Sequence, residues 1–404
     1  MTKYLPKYGW SPIIYTPDDP EFNISDKSLS ENKDEIKVIR NKIWDPANLF
    51  KGSKNLRPVG EVSSNNISWW IKLAIWIRGN IFIPDSKIFW VRPSLRYLTR
   101  YLKKNPVDAI ITTGPPHSMH MIGYGLKKIL NVSWMADFRD PWSNGDILNQ
   151  IFSSGFAMRQ HKKMERRVLL NADIVVTVGN RLAEDFKLLE QNAKLSVVTN
   201  GFDHHDFPSK EIEKNNKQFN ITYSGILYKN RNPSLLWQYL NNRCMNDQIF
   251  SQQLKINIVG HLDEAVKEEL MAYKGLNENL NLIGYLSHED AIELNRNASL
   301  LILPVDNTKN SKILTPGKLF EYLATNRPII GFGDKDSDAN DILLETGHRG
   351  IIDYNDEQSI ASEIDLHYNN WKDKETATYE NIENFRRENL SGKIAEILDE
   401  ITNG

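Results

Sequence analysis

The stretch TPGKLFEYLATNRPIIGFG, from Thr315 to Gly333, decides the fold. Thr315 is a typical N-cap, and Pro316 suits the first helical position, where its missing N–H costs nothing. Apolar residues then recur at three- and four-residue spacing, which predicts one apolar helix face. Pro328 ends the helix, and the apolar residues after it predict a short buried strand.

A second apolar run, Ser299–Pro304, precedes this stretch, so strand, helix and strand follow one another as in a βαβ unit. The same alternation recurs from Ala109–Thr113 to Gly350–Ile352. It predicts an α/β fold with parallel sheets. The length of 404 residues favours two domains. The polar run after the turn Asn200–Asp203 places their boundary, which gives domains at 1–200 and 201–378. Residues 17–65 are polar and are interpreted as a long surface excursion.

Composition restricts the class of function. Apolar residues make up 40% and charged residues 25% of the chain, as in soluble globular proteins. The net charge of −2 argues against a nucleic-acid partner. Cys244 is the single cysteine, which excludes an intrachain disulfide and suits a reducing cytosol. The sequence has no secretory signal and no apolar run long enough to span a bilayer, so a cytoplasmic location is expected.

The second domain offers several groups to an anion. The N-terminus of the helix that begins near Pro316 and Gly317 presents free N–H groups and the positive end of a dipole. Lys318 in its first turn is unfavourable for that dipole, and a negative ligand is one reason to tolerate it. An ordinary solvated lysine is the alternative. Lys229 and Arg231 follow the first strand of this domain and add two more positive charges.

Glu321 lies six residues after Thr315, roughly 9 Å along a helix axis. This separation matches the distance from a diphosphate to a nucleoside ribose. A carboxylate can accept hydrogen bonds from both ribose hydroxyls, as acidic residues do in dinucleotide sites. An ion pair with Lys318 at three-residue spacing is the alternative.

The first domain carries polar residues where two predicted strands end. His117 follows the first of these strands, and Asp137, Arg139 and Asp140 lie at the end of the next. Ligands of parallel sheets bind at such strand ends. The alternatives are a capping or hydrogen-bonding role for the histidine and an internal salt-bridge cluster for the other three residues. No HExxH, CxxC or paired acidic motif suggests a metal ion.

An aromatic-rich segment spans Trp69–Ile83. Its tryptophans, leucine and isoleucines, with Lys72 and Arg78, predict an amphipathic helix that can lie in a membrane interface. A helix packed on its own domain, or a lid, is the alternative.

Five motifs together resemble a known family. The chain is similar to the retaining GT-B glycosyltransferases of family 4, in particular the bacterial branch that builds surface and capsular polysaccharide. The matching motifs run in the family's order: TTGPPHS from Thr112, ADFRDPW from Ala136, NGFD from Asn200, SGILYKNRNP from Ser224 and TPGKLFEYLATNRPII from Thr315.

This resemblance implies two Rossmann-like, doubly wound domains facing across a cleft, with a nucleotide-sugar donor in the C-terminal one. It implies retention of the anomeric configuration without a metal ion or other cofactor. Glu321 would bind the ribose, and His117 would lie near the donor sugar or the acceptor hydroxyl as the catalytic residue. The donor diphosphate would be bound by Gly225, Lys229, Arg231, Pro316, Gly317 and Lys318.

The resemblance also implies a glycan or lipid-linked oligosaccharide acceptor on the side of the first domain, near Asp137, Arg139 and Asp140. A lipid-linked acceptor would bring Trp69–Ile83 to the inner face of the cell membrane. The final helix, within 379–404, would cross back to the first domain.

The chain departs from the family pattern in two places. Ile313 stands eight residues before Glu321, where many relatives carry a second glutamate. The amino end matches the interior of the first helix of the family, so the preceding strand and glycine-rich turn are expected to be absent. The absent turn supports one alternative to the transferase interpretation, a degenerate nucleotide-sugar-binding subunit. A GT-B sugar-nucleotide epimerase is a second alternative.

Overall fold

The computed structural model describes residues 1–18, 36–44, 69–145, 148, 153–207, 217–375 and 377–403. The chain forms two units. Unit 1 comprises Met1–Thr199 and Ser391–Gly404, and unit 2 comprises Asn200–Leu390.

Unit 1 is built on parallel strands. Four of them form a sheet in sequential order, β3 (Ala109–Gly114), β4 (Ser133–Phe138), β5 (Ile174–Thr177) and β6 (Leu195–Val197). A separate parallel pair consists of β1 (Ile13–Pro17) and β2 (Lys37–Asn41). The interpretation of 17–65 as a surface excursion is therefore wrong at β2, and most of the remaining segment lies outside the described residues.

Helices lie between these strands along the chain, two of them between β2 and β3. They are α1 (Trp69–Asn80), α2 (Ile88–Lys104), α3 (Ser118–Leu130), α4 (Gly155–Asn171) and α5 (Asn180–Leu189). A 3-10 turn, Leu5–Tyr8, replaces the helix end expected at the amino terminus. The last helix, α13 (Arg387–Asn403), contributes its residues from Ser391 onward to this unit. There Asp399 accepts a hydrogen bond from the Trp10 indole at 3.0 Å.

Unit 2 contains one parallel sheet with the strand order β11-β10-β7-β8-β9. The strands are β7 (Phe219–Ser224), β8 (Leu254–Val259), β9 (Leu280–Gly284), β10 (Leu300–Pro304) and β11 (Ile329–Phe332). The helices are α6 (Ser234–Asn246), α7 (Gln248–Gln253), α8 (Glu264–Ala272), α9 (His288–Arg296), α10 (Gly317–Ala324), α11 (Asp338–Glu345) and α12 (Glu357–Lys372).

Both faces of this sheet are buried. Along β10, Leu300 and Ile302 pack into a core with Trp237 and other residues of one face. Leu301 and Leu303 pack into a second core with Leu319 and Phe320 of α10 and other residues of the opposite face. Because successive side chains of a strand point to opposite faces, a continuous apolar run is required wherever helices cover both. The predicted doubly wound βαβ arrangement is confirmed here.

No helix in the described part of the chain has the length and apolar character needed to cross a membrane.

Candidate functional site

The strand order of unit 2 reverses between β7 and β10. The chain proceeds from β7 outward to β9 on one side and from β10 outward to β11 on the other. In open parallel sheets the loops that follow two such strands leave a crevice at their carboxyl ends. The loop after β7 carries Gly225, Lys229 and Arg231, and the segment after β10 leads into α10. The topology thus gathers the predicted anion-binding residues of unit 2 at one end of its sheet.

Helix α10 begins one residue later than the sequence predicts. Its N-cap position is taken by Pro316 rather than Thr315, and no side chain caps the helix. The expectation that Thr315 caps α10 is therefore wrong. Its hydroxyl lies buried without a hydrogen-bond partner in the described residues. Backbone N–H groups at a helix start that lack a side-chain cap are donors for an anion.

Lys318 extends from the first turn of α10 toward β7. Its Nζ donates to the Tyr223 hydroxyl at 2.8 Å and lies 4.2 Å from the centroid of the tyrosine ring. Gly225 makes room for the ammonium, because a Cβ there would lie 2.5 Å from Nζ. Burial, followed by the positive charge of Arg231, lowers the pKa of Lys318 to about 7.

Arg231 is fixed by a carboxylate that follows β10. Its Nε and Nη2 donate to the two oxygens of Asp306 at 2.6 and 2.9 Å. The Tyr354 hydroxyl donates to the backbone carbonyl of Val305 at 2.7 Å and so braces the same segment. A bidentate pair of this kind holds the guanidinium plane in one orientation. The loops after β7 and β10 are therefore joined at the crevice.

Glu321 lies one turn along α10 from Lys318. No ion pair joins these two residues, since the lysine turns to Tyr223 instead. Burial raises the pKa of Glu321, and the neighbouring His288 and Arg387 side chains oppose that rise. Within the described residues, Glu321 makes no side-chain hydrogen bond or ion pair. A carboxylate in this setting can accept hydrogen bonds from a ligand.

Lys229 lies on the outer side of the same loop. It is exposed and lines a pocket of about 330 Å³ with amide, hydroxyl and aromatic side chains. The other lining residues are Asn230, Asn232, Ser234, Leu235, Asn307, Tyr354 and Asn355. Amide side chains both donate and accept hydrogen bonds, which suits a ligand rich in hydroxyl groups.

In unit 1, His117 lies three residues after the end of β3 and immediately before α3. Its ring stacks on Trp142 with centroids 4.8 Å apart and planes 2° from parallel. Trp142 in turn donates its indole N–H to His161 at 3.0 Å. Burial, followed by the electrostatic influence of the neighbouring His161, lowers the pKa of His117 to about 3. The imidazole is therefore neutral at physiological pH, and it occupies the N-cap position without a side-chain capping hydrogen bond.

The three charged residues at the end of β4 separate into a pair and a single acid. Arg139 Nε donates to Asp137 at 2.9 Å, and Thr113 donates its hydroxyl to the same carboxylate. Burial raises the pKa of Asp140. The salt-bridge alternative is thus correct for Asp137 and Arg139. These residues and His117 lie at the carboxyl ends of the adjacent strands β3 and β4.

One group of side chains in the described residues has donor atoms close enough to hold a metal ion. One donor atom each from Asp203, His204 and His205 lies within 4.8 Å of the others. Asp203 Oδ1 also accepts from the backbone N–H of His205 at 3.1 Å and thereby caps a short 3-10 helix. This cap accounts for the arrangement without an ion, and we assign no metal to it.

Several residues of the crevice escape detection in the sequence. Tyr223, Asp306 and Tyr354 touch or brace Lys318 and Arg231, and His288 faces Glu321. The only local signal is position, because Tyr223 ends one strand and Asp306 follows another. Pairing between residues so distant in sequence requires the strand order.

The geometry of unit 2 has a counterpart among known proteins. Residues 218–370 match the family of glycosyl transferases, group 1. The matched segment contains β7 to β11 and every crevice residue of unit 2 named above except Arg387. It supports glycosyl transfer as the activity. No curated protein sequence matches this chain.

Solved structures show the same fold over a longer span. A glycosyltransferase from Rickettsia africae is 17% identical with a TM-score of 0.61, and the match covers 99% of this chain and 92% of that one. An α,α-trehalose-phosphate synthase (UDP-forming) from Burkholderia vietnamiensis is 10% identical with a TM-score of 0.51, over 78% and 79% of the two chains. The MnaA–UDP structure from S. aureus is 12% identical with a TM-score of 0.50, over 97% of each chain. The predicted α/β, GT-B fold with two Rossmann-like domains is confirmed.

Proposed function

We propose that this protein is a retaining glycosyltransferase that moves a hexose-type sugar from a nucleoside-diphosphate sugar to a glycan or lipid-linked acceptor. The single observation that carries the proposal is the grouping at the crevice of unit 2. An uncapped helix N-terminus, the cations Lys318 and Arg231, and the carboxylate of Glu321 all lie there. Cations and helix N–H groups suit a diphosphate, and a carboxylate suits the hydroxyls of a ribose.

Gly225, Pro316 and Gly317 contribute backbone to this donor site. A side chain at Gly225 would displace Lys318, and Pro316 and Gly317 leave the start of α10 open. Lys229 adds an exposed positive charge and lines the amide-rich pocket, which is suited to sugar hydroxyls. The UDP bound to the related MnaA fold supports a nucleoside diphosphate as part of the donor.

Unit 1 supplies the acceptor side of the proposal. His117, Asp137, Arg139 and Asp140 lie at the ends of β3 and β4, where parallel sheets bind ligands. In this proposal transfer needs no metal ion, since the diphosphate leaving group is neutralised by Lys318, Arg231 and the α10 N-terminus. In this proposal, the transferred sugar becomes part of a cell-surface polysaccharide that is synthesised at the cytoplasmic face of a membrane.

A donor screen tests this function. Nucleoside diphosphates and their common sugar conjugates are titrated by calorimetry, and slow hydrolysis of each conjugate is followed by release of the diphosphate. We expect one base to be preferred and its sugar conjugate to be hydrolysed. If no nucleoside diphosphate or conjugate binds, the transferase proposal is wrong.

We expect His117→Ala to lower kcat roughly 10- to 100-fold while donor affinity changes little, because one hydrogen bond to a reacting group is worth about 1.5–3 kcal/mol. The neutral imidazole acts in this proposal as a hydrogen-bonding group, so kcat should show no ionisation of His117 between about pH 5 and 8. Steady-state kinetics with the donor from the screen measures both. Equal losses in donor affinity and turnover would indicate a binding role only.

Helix α1 carries the proposed membrane contact. Trp69 and Trp76 are 61% and 46% exposed, and Lys72 and Arg78 are exposed on the same short helix. We expect Trp69→Ala/Trp76→Ala to lower binding to anionic vesicles by about tenfold or more, since burying one large apolar side chain stabilises by about 1.5–3 kcal/mol. Vesicle co-sedimentation measures this. Ile249→Ala, at an exposed apolar residue of unit 2, is the control. If the unaltered protein does not bind vesicles, α1 is not an interfacial helix.

A further inference from the structure

Lys318 occupies an unusual place for an ammonium group. It is mostly buried, its hydrogen-bond partner in the described residues is the neutral hydroxyl of Tyr223, and that hydroxyl donates onward to the carbonyl of Ile226 at 2.7 Å. No carboxylate of the described residues forms an ion pair with it. It also sits in the first turn of α10, where the helix dipole disfavours positive charge.

The charges around Lys318 come from four elements. Tyr223 faces it from β7, Arg231 from the loop after β7, Asp306 from the segment after β10, and Glu321 from α10 itself. Asp306 is already engaged by both nitrogens of the Arg231 fork. Burial and Arg231 together outweigh the two carboxylates and bring the pKa of Lys318 to about 7. Above neutral pH the neutral amine of Lys318 therefore predominates in the ligand-free protein.

We propose that Lys318 takes up a proton from solvent when the diphosphate of a nucleotide binds at the crevice, so that donor binding is coupled to protonation. This rests on the proposed function, in which the crevice binds a nucleoside diphosphate. No bond other than N–H forms at Lys318, and the proton comes from water or buffer.

The physical reason is the change in nearby charge. A nucleoside diphosphate brings two to three negative charges to a partly buried site, and opposite charge within about 4–6 Å favours the ammonium form. A shift of two units or more keeps the bound lysine charged to about pH 9. Between pH 7 and 9, the apparent affinity should then fall by up to about tenfold for each pH unit. The permanent charge of Arg231 gives no such dependence.

Calorimetry near pH 8.5 measures proton uptake by the protein alone. The terminal phosphate of the ligand, with its pKa of about 6, is fully ionised at this pH and therefore exchanges no proton on binding. UDP, GDP, ADP and dTDP are titrated into the protein in two buffers of different ionisation enthalpy, which gives the number of protons taken up. We expect about one proton for the diphosphate that binds. Lys318→Arg, which keeps a charge at all pH values, should take up almost none. Lys267→Arg, at an exposed lysine on α8, should behave as the unaltered protein.

The outcomes separate the two proposals. If a diphosphate binds without proton uptake, or Lys318→Arg takes up the same proton, Lys318 is not the coupled group and the inference is wrong while the donor site stands. If none of the four binds, the donor site and the inference both fail. The pH dependence of affinity in the unaltered protein is a check that needs no variant. A tenfold or larger loss from about pH 7 to 8.5 supports the coupling, and constant affinity overturns it.

Discussion

Replacing Glu321 with glutamine is expected to weaken nucleoside diphosphate binding by about 2–4 kcal/mol, since two hydrogen bonds to a charged acceptor lose their charge assistance. The carboxylate is partly buried, faces His288 and Arg387, and lacks a side-chain partner of its own in the described residues. In the proposed donor site, both of its oxygens are available to accept hydrogen bonds from a ligand. Calorimetric titration with the diphosphate from the donor screen measures the loss. Glu264→Gln, on the exposed face of α8, is the matched control.

A 2′,3′-dideoxy nucleoside diphosphate tests the assignment to the ribose. The unaltered protein should lose at least as much binding energy with this ligand as Glu321→Gln loses with the natural one, because the dideoxy ligand removes both of the hydrogen bonds whose charge assistance the glutamine removes. The variant should then discriminate less between the two ligands than the unaltered protein does. If the variant and the unaltered protein discriminate equally, Glu321 binds another part of the donor.

Acidification is expected to destabilise unit 1 by about 1–3 kcal/mol for each pH unit between pH 6.5 and 4.5. Three histidines of this unit are held neutral, because burial lowers the pKa of His117 to about 3, that of His161 to about 4, and that of His120 well below its ordinary value. The unfolded chain binds these protons near pH 6.5 while the folded chain does not. The contribution of these neutral histidines to stability is therefore fully present above pH 6.5 and is lost as the pH falls below it.

Buried acids of the same unit oppose this loss. Burial raises the pKa of Glu165 to about 7, so the folded chain carries its proton when the unfolded chain does not, and stability rises as pH falls through this range. Asp85 and Asp140 act in the same direction at lower pH. Three histidines act against one Glu165, so the free energy of unfolding of unit 1 still falls as the pH falls.

Urea unfolding followed peptide by peptide with pulsed hydrogen exchange measures this effect for each unit. His161→Gln keeps an acceptor for the Trp142 indole and should reduce the slope by about 1.4 kcal/mol per pH unit. His205→Gln, at an exposed histidine of unit 2, should leave it unchanged. If unit 1 is equally stable at pH 7 and 5, these histidines are not held neutral in the folded chain.

Much of the fold could be predicted from local pattern. Strand β10 is a continuous apolar run because both of its faces are covered, and β4 and β7 are buried along almost their whole length; such strands leave a visible signal in the sequence. Strand β2 could not be predicted, since its residues are exposed or half-buried and, among the described strands, β1 is its single partner. The sequence predicts the start of α10 one residue too early, because both Thr315 and Pro316 are typical of helix starts.

The candidate site was only partly accessible to such reasoning. Lys318 and Glu321 share one helix, so their spacing along α10 follows from sequence alone. Their partners do not, because Tyr223, Asp306 and His288 come from separate elements. The sequence allows an ion pair between Lys318 and Glu321. It does not form, because the fold brings the Tyr223 hydroxyl within hydrogen-bond distance of the lysine.

The sequence by itself determined the α/β class, the order of strands and helices, and the charged residues at strand ends, because periodicity and helix-start chemistry are local properties. Only the tertiary structure decided which charges meet and which remain ionised. The strand order brings the loops after β7 and β10 together, so Arg231 pairs with Asp306 and Lys318 is left with a neutral phenol. Burial then sets protonation, since desolvation depends on neighbours supplied by distant parts of the chain.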